Sequence, residues 1–93
     1  MDAPEAEFDT LSHAELRAYL KRLEMNVAQV RRRLGEFEAR AGVTTEEMFA
    51  RLSPDEIEAD SDLSEWAGER EMLQRLDTQR AALAKRLKRD SNP

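Results

Sequence analysis

Cysteine is absent from this chain of 93 residues, which has only three glycines, three prolines, one histidine and five aromatic residues. Without cysteine, a disulfide framework and a thiolate metal site are excluded. No apolar run approaches the roughly 20 residues that cross a bilayer, and the acidic first residues lack the basic and apolar regions of a secretory signal. We therefore expect a cytoplasmic protein with no membrane association.

Charged residues, in contrast, make up 38% of the chain, and their signs are segregated along it. Residues 1–15 have a net charge of −5, residues 16–41 of +4, residues 42–71 of −8 and residues 72–93 of +4. Such alternating blocks are more typical of self-association or of charged partners than of a general affinity for nucleic acid.

The strongest pattern is an apolar stripe with alternating spacings of four and three residues, which predicts a long helix over 13–41. Ser12 and Glu15 form a capping box before this helix, and Gly42 is suited to end it. The stripe ends with Ala41. A sparser apolar stripe predicts a second helix over 63–89, and together the two stripes predict a seam between the helices. Its residues are Leu16, Leu20, Leu23, Val27, Val30, Leu34, Phe37, Leu73, Leu76, Leu83 and Leu87.

Two helices of similar length with a connector of about 20 residues favour an all-α antiparallel hairpin. Capping boxes at Thr44 and Ser53 predict two short helices in the connector. We expect residues 1–10 to be a disordered acidic tail, residues 11–89 one hairpin domain, and residues 90–93 a frayed tail. The alternative to the hairpin is a parallel or swapped dimer in which the first helices pair with each other. Because a small domain gains stability by association, we also expect the hairpin to form a homodimer, such as a four-helix bundle.

No motif indicates catalysis or a cofactor, so we expect neither an enzyme nor a metal site. His13 has no suitably placed nucleophile, and a surface position is the simpler interpretation. Asp60, Asp62 and Glu71 have the spacing of calcium-loop ligands, but Glu65 stands where such a loop requires glycine. Arg31–Arg33 and Lys85–Arg89 are the candidate nucleic-acid contacts. Three consecutive side chains spread around a helix, so only part of the triplet can face one surface. We therefore interpret these basic side chains as solvated.

The acidic connector is the candidate partner-binding site. Its residues are Asp55, Glu56, Glu58, Asp60, Asp62, Glu65 and the adjacent Trp66. Acidic side chains next to an aromatic anchor are complementary to a basic cleft. The alternative is that the acids only keep the protein soluble and that Trp66 closes the end of the hairpin.

The stretch from Phe37 to Leu76 resembles small prokaryotic proteins that form one half of toxin–antitoxin-type gene pairs. The shared features are Glu36-Phe37-Glu38, then Gly42 with the Thr44–Phe49 helix, the Asp60-Ser61-Asp62 stretch, and the Glu65-Trp66 pair. The resemblance implies a non-enzymatic, antitoxin-like protein that binds a basic, toxin-like partner. A nucleic-acid-binding hairpin and a coiled-coil scaffold or adaptor remain the alternative functions.

Overall fold

A computed structural model describes residues 10–91, with side chains through Arg89, and contains four helices in that range. They are α1 (His13–Ala41), α2 (Thr45–Ala50), α3 (Pro54–Glu58) and α4 (Ser61–Ser91). The all-α prediction is confirmed for this range, in which α1 packs against α4 as in a helical hairpin. The predicted disorder of the first nine residues and the fraying of Asn92 and Pro93 concern residues outside the described range.

Both ends of α1 have the local chemistry that the sequence predicts. The Glu15 N–H donates to Ser12 Oγ over 3.2 Å, and the Ser12 N–H donates to Glu15 Oε1 over 3.1 Å. The bond from the Ser12 N–H to the carboxylate, and to a smaller extent the Ser12 hydroxyl, lower the pKa of the Glu15 carboxyl, because they favour its ionised form. At the other end, Gly42 has a φ of 74°, and its N–H donates to the Glu38 carbonyl over 2.8 Å. Only glycine adopts this conformation without strain.

The second long helix begins earlier than predicted. Asp60 is its N-cap, because Asp60 Oδ1 accepts hydrogen bonds from the N–H groups of Asp62 (2.9 Å) and Leu63 (3.2 Å). The helix therefore starts at Ser61 rather than at residue 63, and it continues to Ser91. A helix over this range is incompatible with a calcium loop over residues 60–71, as the Glu65 position indicates.

The chain forms two compact units. One unit consists of residues 1–27 and 75–93, and we call it the basic unit, because its described residues, 10–27 and 75–91, have nine Lys or Arg against four Asp or Glu. The four acids among residues 1–9 lower the net charge of the whole unit to +1. We call residues 28–74 the acidic unit, since they have twelve Asp or Glu against six Arg. The formal net charges of these described parts are +5 and −6.

The core of the basic unit consists of seam residues from the first half of α1 and the second half of α4. The buried members are Leu16, Leu23, Val27, Leu76, Leu83 and Leu87, while Leu20 is half-buried. Leu83 is 0% exposed and Leu16 is 1% exposed.

The core of the acidic unit combines seam residues with residues of the connector. Val30, Leu34, Trp66 and Thr45 are buried, and Phe37 and Leu73 are half-buried. Ala41, the last position of the predicted stripe, is exposed, because α1 ends there and Gly42 turns the chain away.

Candidate partner-binding surface

Trp66 is surrounded by residues of the connector and of α1. Its ring stacks on Phe37, with the ring centroids 5.5 Å apart at an interplanar angle of 9°, and Phe49 meets it edge-on, also at 5.5 Å. The guanidinium of Arg40 lies 4.8 Å from the Phe37 ring centroid, and that of Arg70 lies 5.5 Å from the Phe49 ring centroid. The result is an aromatic cluster with a cation against each phenylalanine ring.

Hydrogen bonds tie this cluster to the start of α2. Trp66 Nε1 donates to Thr45 Oγ1 over 2.9 Å, and the same hydroxyl donates to Glu38 Oε2, also over 2.9 Å. The Thr45 N–H donates to that carboxylate oxygen over 2.7 Å. On the surface, Arg70 makes a two-pronged contact with Glu46, at 3.2 and 3.3 Å. These bonds fix α2 to both long helices.

This arrangement corrects the interpretation of Trp66 as a partner contact. Its side chain is only 3% exposed, so a partner would have to displace Phe37 or Phe49 to reach it. Trp66 has the structural role that the sequence analysis left as the alternative. We therefore leave it out of the candidate surface.

The acidic side chains next to Trp66 are exposed. We call the set Asp55, Glu56, Glu58, Asp60, Asp62 and Glu65 the acidic surface. Two members have a local structural role: Glu56 Oε1 accepts from the Ser53 N–H over 3.1 Å in the α3 capping box, and Asp60 caps α4.

The other four members, Asp55, Glu58, Asp62 and Glu65, make no side-chain hydrogen bond or ion pair with any described residue. They are nevertheless held in place by their backbones. Asp55 and Glu58 lie in α3, which begins with Pro54 and a complete capping box, and Asp62 and Glu65 lie in the first two turns of α4. Two helix caps, at Ser53 and Asp60, therefore order this stretch, and the first of them is the capping box that the sequence predicts.

An open groove runs between α3 and α4 beside this surface, with a cavity volume of about 400 Å³. Its lining is Pro54, Ile57, Glu58, Ser64, Ala67, Gly68 and Glu71. The Ser64 hydroxyl donates to the Ile57 carbonyl over 2.9 Å and so joins the two walls. The sequence analysis missed this groove, because it forms only where α3 lies against α4.

The basic candidates are on other parts of the chain. Arg31 and Arg32 are exposed, whereas Arg33 lies in an ion pair with Glu69, with Arg33 Nε 3.0 Å from Glu69 Oε2. The triplet therefore does not present three bases to one surface. This agrees with its helical spacing, which spreads three consecutive side chains around the helix. In the C-terminal cluster, Lys85 and Lys88 are exposed.

The residues that the structure describes contain no group of three or more His, Cys, Asp or Glu side chains arranged to hold a metal ion. None of the helices between residues 10 and 91 combines the length and apolar character needed to cross a membrane. His13 is exposed in the first turn of α1.

Comparison of the chain with family models, with curated proteins and with solved structures gave no match. The likeness to antitoxin-type proteins therefore stays a prediction based on the motifs between Phe37 and Leu76. The function has to be argued from the acidic unit itself.

Proposed function

We propose that this chain is a non-enzymatic, antitoxin-like binding protein whose acidic surface captures a basic partner protein. The observation that carries the proposal is the presence of four exposed carboxylates, on Asp55, Glu58, Asp62 and Glu65, without a partner among the described residues. Because these carboxylates are on ordered helices, their backbones lose little further freedom on binding, and only the side chains have still to be ordered. A basic partner is steered toward them at long range.

Two features of the acidic unit support a protein partner. The acidic surface borders a groove with apolar residues, and protein interfaces combine an apolar centre with a polar rim. The motifs shared with toxin–antitoxin-type proteins lie in this same unit. If the partner is a toxin that acts on nucleic acid, its active cleft is basic, and the acidic surface would occlude it.

The test uses the product of the adjacent gene as the candidate partner. The variant Glu58→Lys/Glu65→Lys reverses two unpartnered acids and leaves the caps at Ser53 and Asp60 in place. We expect it to lose co-purification with the partner and to lose neutralisation of any growth inhibition. Wild-type binding should weaken as salt is raised, because exposed charge pairs are screened over about 8–10 Å at 0.1–0.15 M ionic strength.

The matched control is Glu24→Lys/Glu36→Lys, which makes the same change in net charge at exposed positions outside the acidic surface. Glu36 lines the same cavity as Glu65, next to Arg33 and Arg40. A loss of binding that comes only from repulsion between a new lysine and these arginines should therefore appear in the control variant as well. If both variants bind as tightly as the wild type, the acidic surface is not the interface. Binding of duplex DNA that is lost in Lys85→Glu/Lys88→Glu would instead support the nucleic-acid alternative.

A further inference from the structure

Gly68 lies inside α4, where glycine destabilises a helix by about 1 kcal/mol relative to alanine. Packing within the chain does not require it, because a Cβ atom at this position would meet no atom within 4 Å. Gly68 is exposed and forms the floor of the α3–α4 groove together with Ala67. A floor of this kind lets the backbone of another helix come close.

The rims of the groove have a defined charge. Glu58 and Glu71 line it, both are exposed, and neither has a hydrogen bond or ion pair with a described residue. The groove thus combines a small-residue floor with two unpartnered carboxylates. Its occupant should be a helix with small residues at the contact and cations beside them.

The basic unit carries a helix face with this composition. Ala81, Ala84, Lys85 and Lys88 are exposed on α4 at spacings of three, one and three residues, which places them on one side of the helix. The lysines have no hydrogen bond or ion pair with the described residues. We call these four residues the lysine stripe.

We propose that the α3–α4 groove binds the lysine stripe of a second copy of this chain. Ala81 and Ala84 pack on the Ala67–Gly68 floor, while Lys85 and Lys88 pair with Glu58 and Glu71. The opposite charges of the two surfaces, with Lys85 and Lys88 on the stripe and Glu58 and Glu71 on the groove, favour this pairing and disfavour groove-to-groove or stripe-to-stripe pairing. The proposal does not depend on the partner-capture function, since it is tested on the purified chain alone.

The first experiment measures self-association by sedimentation velocity of the full chain at up to about 0.5 mM protein. We expect concentration-dependent association at about 50 mM salt that largely disappears at about 0.5 M salt, where the screening length falls well below 10 Å. A wild-type chain that is monomeric at low salt and high concentration overturns the proposal.

The second experiment fills the groove without changing charge. Gly68→Gln places a bulky side chain on the floor, and Gly35→Gln is the matched control, because a Cβ at Gly35 also meets nothing within 4 Å. Both are expected to retain the helical circular dichroism spectrum. Gly68→Gln should weaken association at least about tenfold, and Gly35→Gln should leave it unchanged. Equal association of the two variants overturns the proposal.

The third experiment exchanges the charges. Glu58→Lys/Glu71→Lys and Lys85→Glu/Lys88→Glu should each fail to self-associate, whereas an equimolar mixture should form a heterodimer, because opposite surfaces then meet. Arg17→Glu/Lys21→Glu, which reverses exposed bases elsewhere in the basic unit, should associate like the wild type.

Failure of the mixture to associate overturns the pairing. If the wild type is monomeric but binds an oligolysine peptide, and Gly68→Gln abolishes that binding, the groove binds a basic segment of another protein. That result also overturns the proposal that a second copy occupies the groove. A wild-type chain that self-associates but does not bind the candidate partner would reject only the proposed function.

Discussion

Thr45→Val tests the hydrogen-bond network that joins the connector to the long helices. Thr45 is 6% exposed, and its hydroxyl both accepts from Trp66 Nε1 and donates to Glu38 Oε2, each over 2.9 Å. Valine has nearly the same shape as threonine, so the substitution removes these two bonds without leaving a cavity. The Thr45 N–H still donates to Glu38.

The expected loss of stability in Thr45→Val follows from the polar groups that the substitution leaves without a hydrogen-bond partner. The indole N–H of Trp66 is left buried without an acceptor, which costs about 1–3 kcal/mol. The loss of one of the two hydrogen bonds to the half-buried Glu38 carboxylate adds roughly 1 kcal/mol net. We expect the free energy of unfolding of the acidic unit to fall by about 2–4 kcal/mol, a large fraction of the 5–15 kcal/mol typical of a native domain.

Urea unfolding measures this change, followed by tryptophan fluorescence and by circular dichroism at 222 nm. Trp66 is the sole tryptophan, so its emission reports on the acidic unit. Thr45→Ser is the control: it keeps the hydroxyl and loses one methyl group, at a cost of about 1 kcal/mol. If Thr45→Val and Thr45→Ser are equally stable within about 0.5 kcal/mol, the hydroxyl bonds do not stabilise the unit as argued here.

A double-mutant cycle separates the Trp66 bond from the Glu38 bond. Trp66→Phe removes the indole N–H, so no buried donor is left unpaired when Thr45→Val is added. We expect Thr45→Val to cost about 1–2 kcal/mol less in the Trp66→Phe chain than in the wild type, with circular dichroism as the measurement. An additive cycle would mean that the Trp66–Thr45 bond makes no net contribution.

Two further predictions concern the seam and the first helix cap. Leu83→Ala should lower the free energy of unfolding by about 2–5 kcal/mol, because Leu83 is 0% exposed. Met25→Ala, at a 65% exposed position, should change it by less than about 0.5 kcal/mol. Equal effects of the two substitutions in a urea titration would contradict the assignment of Leu83 to the core. The Glu15 carboxyl should titrate below 4.5 by NMR. Ser12→Pro removes the backbone N–H that is the main cause and should raise this pKa toward 4.5, more than Ser12→Ala, which removes only the hydroxyl. Since the folded-state pKa is lowered, the contribution of Glu15 to helix stability is present above pH 4.5 and is lost as the pH falls through the lowered value; a pKa that does not change in Ser12→Pro would refute this cause.

The bounds of α1 could be predicted because every local signal agrees there. The capping box at Ser12, the uninterrupted stripe and the left-handed Gly42 all specify the same helix. The start of α4 could not be predicted as well, since Asp60, Asp62 and Ser64 are all good N-caps and local energies differ little among them. Asp60 becomes the cap, and Ser64 instead bonds to the end of α3.

The role of Trp66 depends on a contact that no local pattern contains. Its hydrogen-bond acceptor, Thr45, is 21 residues away and looks from the sequence like an ordinary residue of a short helix. The groove is equally non-local, because it forms only where α3 lies against α4. In contrast, the exposure of the acidic residues follows from charge alone, since unpaired carboxylates are almost never buried.

The seam of α4 contains a charged position, Glu69, that helps to specify how the long helices align in the acidic unit. Glu69 faces Arg33, and a slide of one heptad would bring Asn26 or Arg40 to that place. Asn26 would leave the carboxylate without a charge partner, whereas Arg40 would satisfy it, so the ion pair alone does not fix the register. The stacking of Trp66 on Phe37 does: in the register with Arg40, the position opposite Trp66 lies beyond Ala41, where α1 has already ended. Of these three registers, only the observed one satisfies both the ion pair and the aromatic contact, and that register determines where α3, the groove and the acidic surface lie.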